Sequence, residues 1–73
     1  MAVGNRIKLW RKRLKMTQEE FARFTGFTQS NISHWEGGRV LSPGNALVIM
    51  KKLRVVFPEI HLEDLYEDKE GPS

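Results

Sequence analysis

Apolar residues fall at helical intervals along most of the chain, and the polar residues between them mark where each helix starts and stops. Ile7, Trp10 and Leu14 recur at three- and four-residue steps. That stripe predicts a helix over residues 5–14, with Arg6, Lys8, Lys12 and Arg13 on its other faces. Thr17-Gln18-Glu19-Glu20 has the form of a capping box. The threonine hydroxyl accepts from the amide three residues on, and the glutamate reaches back to the cap's own amide. Met16 stands where it can staple to Phe21; Phe21, Ala22 and Phe24 are expected to face inward, and Gly26 to close the helix in a left-handed conformation. Thr28 caps a third helix through Glu36, which Gly37-Gly38 stops. Ser42-Pro43 opens a fourth, whose buried face is expected to hold Ala46, Leu47, Ile49, Met50 and Leu53. A short fifth helix is predicted over residues 62–67, with His61 in its cap region and Leu62, Leu65 and Tyr66 inward. No segment reads as a strand.

The third helix has an unusual make-up. Only Ile32 and Trp35, with Phe27 before the cap, anchor it, and Trp35 is expected to stay partly exposed. Gln29, Ser30, Asn31, Ser33 and His34 are poor to middling helix formers. A helix built only for stability would carry Ala, Glu and Lys at such positions.

Charge sharpens the contrast. The net charge is only +3, but residues 1–15 carry six bases (Arg6, Lys8, Arg11, Lys12, Arg13, Lys15) and no acid. Residues 41–57 add Lys51, Lys52 and Arg54, while residues 58–73 set six acids against Lys69. So basic a segment suits a polyanion, whether nucleic acid or an acidic membrane surface, as well as a solvated helix face.

Composition removes other classes. A chain of 73 residues is one domain that buries about 60 % of its unfolded surface, leaving little room for a deep enzyme cleft. It has no cysteine, hence no disulfide, thiolate metal site or thiol nucleophile. No apolar run approaches the ~20 residues of a membrane span, and residues 1–6 lack a signal peptide's apolar core. A cytoplasmic protein is therefore expected, with no membrane partner. His34 and His61 have no ligand spacing for a metal, and no Ser/His/carboxylate set has a supporting motif, so neither cofactor nor enzyme activity is expected. The aromatics Trp10, Phe21, Phe24, Phe27 and Trp35 lie at helical spacing and are assigned to the core rather than to a base-stacking platform.

Two short helices opened by Thr-Gln and joined at a glycine meet the steric needs of a DNA-binding helix-turn-helix. Ala22 is the small residue that allows close packing, Gly26 makes the turn, and Ile32 is the buried aliphatic of the second helix. Thr17-Gln18-Glu19-Glu20-Phe21-Ala22, followed by Gly26-Phe27-Thr28-Gln29-Ser30-Asn31-Ile32-Ser33-His34-Trp35-Glu36-Gly37-Gly38, resembles the Cro/repressor-type (XRE) helix-turn-helix family over about residues 5–67.

The resemblance implies an all-α, five-helix, lambda-repressor-like domain that binds double-stranded operator DNA as a homodimer. It places Gln29, Ser30, Ser33 and His34 at base edges, Gln29 by bidentate contact with adenine. Gln18, Asn31, Arg39, Lys12 and Arg13 fall to the DNA backbone, with Gln18 also bracing Gln29. It removes Arg11 from the DNA contacts, since in the family the positions of Arg11 and Glu36 form a partly buried ion pair. Lys15 and Arg54 stand where the family has helix-ending glycines, so both are expected in left-handed conformations. Leu41 and Gly44 replace bases found in some relatives, and Val56 to Ile60 lengthens the approach to the fifth helix.

The expectation is a DNA-binding domain over residues 1–67 and an acidic flexible tail over residues 68–73. Its function is that of a small dimeric repressor with no sensor domain, acting in the nucleoid of a bacterial or phage-infected cell. A phage or mobile-element Cro-like repressor, a restriction–modification controller and an antitoxin all fit. The alternative is a protein-interaction module that binds a protein partner through Leu41, Val55, Val56, Phe57 and Ile60.

Overall fold

Local capping chemistry sets where the helices begin. The computed structural model describes residues 4–66, so the expected acidic tail at 68–73 lies outside the described residues. Four α-helices follow in order: α1 (Ile7–Arg13), α2 (Gln18–Thr25), α3 (Gln29–Glu36) and α4 (Pro43–Leu53). Thr17 Oγ1 accepts from the Glu20 amide at 3.1 Å, and Glu20 Oε1 accepts from the Thr17 amide at 2.8 Å. Thr28 and Ser42 cap α3 and α4 in the same way, each accepting from the amide three residues on. The basic run Arg11-Lys12-Arg13 sits in the last turn of α1, where the helix dipole favours cations.

Among the described residues there are four α-helices, and a 3₁₀ turn at Leu62–Leu65 stands where the fifth helix was expected. The cause lies in Tyr66. It is extended, with φ −117° and ψ 147°, and pairs with Asn5 as an isolated antiparallel bridge. Drawing Tyr66 into that pairing stops the helix after one turn. The same pairing keeps Asn5 out of α1, which begins at Ile7 rather than at residue 5. Asp64 Oδ2 accepts from the His61 amide at 2.9 Å, so His61 does occupy the cap.

One core joins all the elements. Ile7 and Trp10 of α1, Phe21 and Ala22 of α2, and Ile32 and Trp35 of α3 are buried together with Ala46, Ile49, Met50 and Leu53 of α4. Leu41, Ile60 and Leu65 close it from the loops and the 3₁₀ turn. Trp35, expected to be partly exposed, is 6 % exposed; its ring meets Phe27 edge-on at 5.1 Å. Leu47, expected on the buried face of α4, is 41 % exposed. The stripe runs through 46, 49, 50 and 53, and Leu47 lies one 100° step off it.

The two expected left-handed helix ends separate. Lys15 has φ 60°. Arg54 has φ −62°, an ordinary helical value. The chain leaves α4 by tightening instead: the Val55 and Val56 amides donate to the carbonyls of Lys52 and Leu53, three residues back. Arg54 Nε also donates to the Ile60 carbonyl at 3.1 Å. The long connection after α4 is thereby folded back onto the helix end.

Candidate nucleic-acid interface

The turn between α2 and α3 is set by Gly26, whose φ of 87° closes α2 and sends its amide to the Ala22 carbonyl at 2.8 Å. Thr28, one residue beyond Phe27, then caps α3. Ile32 and Trp35 turn one side of α3 into the core, which fixes where its other residues point. At 100° per residue, Gln29, Ser33, Ser30 and His34 share an arc of roughly 140°. All four are exposed. Asn31 is half-buried and falls at one edge of the arc, beside Trp35. The helix thus presents amide, hydroxyl and imidazole groups to solvent with no aliphatic side chain among them.

On the opposite flank Glu36 is held in a network. Its carboxylate accepts from Arg11 Nε at 2.6 Å and from Arg11 Nη2 at 3.1 Å, a two-point pair with side chains 14 % and 6 % exposed. Arg11 Nη1 also donates to the Met16 carbonyl at 3.0 Å. Burial raises the carboxyl pKa, but the bonds from Arg11 and Gln18 and the charges of Arg11 and Lys8 outweigh it, and the net direction is down. Arg11, fully engaged here, is a structural cation that ties α1 to α3.

Gln18 is bonded to this pair. Its Nε2 donates to Glu36 Oε1 at 3.1 Å. A buried anion outcompetes an exposed amide for the donor, since a bond to a charged acceptor is the stronger one. The amide still has a second N–H and a free carbonyl oxygen for another partner. Gln18 is also the first residue of α2, where backbone amides point outward.

Lys12, Arg13 and Arg39 are exposed. Arg13 stacks its guanidinium over Trp10, 4.8 Å from the ring centre, so it is restrained on the α1 side. Arg39 leaves the C-terminal end of α3 in a loop turned by Gly38, whose φ is 110°. The Arg39 amide donates to the His34 carbonyl at 3.0 Å.

Two contributors escaped the reading of the residues. Asn5 Nδ2 donates to the Trp35 carbonyl at 2.9 Å, and the Tyr66 hydroxyl donates to the Leu41 carbonyl at 2.7 Å. Burial pushes the Tyr66 phenol above its ordinary pKa. No local signal marks either role: an asparagine before a helix reads as a cap, and a tyrosine at helical spacing reads as core.

The surface expected for a protein partner is altered. Leu41 and Ile60 are 2 % and 3 % exposed and belong to the core, leaving Val55, Val56 and the half-buried Phe57 outside. Among the described residues, no helix is long and apolar enough to cross a membrane.

No curated protein and no solved structure matches the chain. The helix-turn-helix domain family does match, over residues 4–60, a span that holds α1 to α4 and every position of the polar arc. With Ala22 buried in α2, a left-handed turn at Gly26 and that match over most of its length, the chain belongs to the helix-turn-helix domain family.

Proposed function

We propose that this protein binds duplex DNA sequence-specifically and regulates transcription, as a homodimeric repressor. The observation that carries this is the outward face of α3. Four exposed hydrogen-bonding residues occupy the arc of a helix held rigidly by Ile32, Trp35 and the Arg11–Glu36 pair. Gln29, Ser30, Ser33 and His34 read base edges in the major groove. Gln18, Asn31, Arg39, Lys12 and Arg13 contact phosphates, which fix register without reading sequence. One such helix buries too little surface for tight specific binding, so two copies act together, their recognition helices about 34 Å apart on half-sites one turn apart. Repression then follows from occupying DNA that polymerase needs. Such a regulator works in the cytoplasm, beside the nucleoid of a bacterial or phage-infected cell.

A second reading is favoured by Val55 and Val56, which are 80 % and 46 % exposed next to Phe57. These apolar residues support a protein-binding role on the same scaffold, as in an antitoxin. Selection from a random-oligonucleotide pool separates the readings. Enrichment of a common sequence is the expected result. Salt-sensitive binding without enrichment would mean a nonspecific architectural role, and no retention of DNA would leave the protein-binding role.

A further inference from the structure

The two ends of the described chain meet beside the segment that leaves the recognition helix. Asn5 and Tyr66 form the antiparallel bridge, and the Arg6 amide donates to the Leu65 carbonyl at 2.8 Å. From this paired point two side chains reach the α3–α4 loop. Asn5 Nδ2 donates to the Trp35 carbonyl at 2.9 Å and lies 3.5 Å from the Arg39 carbonyl. The Tyr66 hydroxyl takes the Leu41 carbonyl at 2.7 Å. Asn5 Oδ1 accepts from the Ile7 amide at 3.2 Å, which fixes which way the asparagine amide faces.

Packing holds that loop only at its end, where Leu41 is buried in the core. Gly37, Gly38, Arg39 and Val40 are all exposed, Val40 at 65 %. Beside the backbone bonds from the Gly38 and Arg39 amides to the Trp35 and His34 carbonyls, the carbonyls of Trp35 in the last turn of α3 and of Arg39 and Leu41 in the loop meet two side chains that are themselves paired. Tyr66 also lies beyond residue 60, outside the span that the family match covers.

We propose that Asn5 and Tyr66 form a clasp that positions Arg39 against the DNA backbone, an inference that rests on the DNA-binding reading. Neither residue touches DNA. A guanidinium on a free loop must be ordered when it binds a phosphate, and that ordering weakens the contact. With the loop carbonyls already held, Arg39 is presented in place. Both clasp residues are therefore positioning residues for a sequence-independent contact.

Binding of the full chain to an enriched duplex and to an unrelated duplex, across a salt series, tests this. Arg39→Ala lowers the salt slope by about one. Asn5→Ala and Tyr66→Phe each weaken both duplexes alike, by roughly three- to tenfold at low salt, and neither weakens binding further in the Arg39→Ala background. Tyr66→Phe removes one oxygen and keeps the ring, so it reports even if Asn5→Ala folds poorly. In the free protein, the Gly38 and Arg39 amides exchange faster in both variants. Full, additive losses on top of Arg39→Ala, or unchanged affinity in a folded Tyr66→Phe, overturn the clasp while DNA binding stands. Wild-type protein that binds no duplex overturns the DNA-binding reading and, with it, the clasp's part.

Discussion

At the residue scale, the sharpest division in the site is between Gln29 and Gln18. Both are glutamines at the first position of a helix, and the two helices are consecutive. Gln29 is exposed on the polar arc, whereas Gln18 is half-buried and bonded to Glu36. The same side chain therefore takes two roles. Gln29→Ala is expected to relax preference at one base pair, costing about 1–3 kcal/mol there. Gln18→Ala should weaken every duplex evenly, because the contact proposed for it is with phosphate, which carries no sequence. Base-by-base competition assays with permuted sites check both. Arg11 stands apart from either. Removing one partner of a buried pair costs roughly 3–5 kcal/mol, so Arg11→Ala lowers the denaturation midpoint while affinity per folded molecule changes little. A midpoint equal to wild type would contradict that assignment. The pair also has a pH signature. The Glu36 carboxyl sits below its usual 4.5 in the folded protein. The unfolded chain thus takes up the proton first. The stabilisation is complete above that unfolded value and is lost as pH falls through the folded one. The stability gap between wild type and Glu36→Gln, followed by urea denaturation, should narrow in that acid window.

At the scale of elements, helix starts were legible and helix ends less so. A cap is a contact among four neighbouring residues, so Thr17, Thr28 and Ser42 announce α2, α3 and α4 directly. The exit from α4 is decided elsewhere. Arg54 keeps a helical backbone because the next residues tighten the turn and its own side chain reaches Ile60. The 3₁₀ turn is a tertiary outcome as well, since Tyr66 is extended by pairing with Asn5 across the molecule. Contacts that span thirty residues, such as Asn5 to Trp35, leave no periodic trace. The polar arc was legible because its residues break the rule that an exposed helix face is filled with good helix formers. Where the turn itself is concerned, Gly26→Ala tests the geometry cleanly. A Cβ at Gly26 meets nothing within 4 Å, so its cost is purely that of a left-handed alanine, about 1 kcal/mol. Thermal denaturation should show that loss; a larger one would mean that α3 has shifted. Thr28→Ala should likewise cost about 1 kcal/mol through the lost cap.

At the scale of the molecule, small size and charge distribution act together. A single core reaches from Ile7 to Leu65, so every outward residue of α3 is backed by buried side chains from other helices. The cations cluster along α1 and at the end of α4, while the acids gather late in the chain. A net charge of +3 therefore understates the field that DNA meets. In the proposed function, phosphate contacts supply nonspecific affinity and its salt dependence, and the polar arc supplies discrimination. The central claim is that discrimination exists and is large. Its most direct test is the ratio of affinities for an enriched duplex and a scrambled duplex of equal length, titrated at physiological salt. The account predicts a ratio of roughly 10³ or more, with both affinities falling as salt rises. Equal affinities for the two duplexes would contradict it.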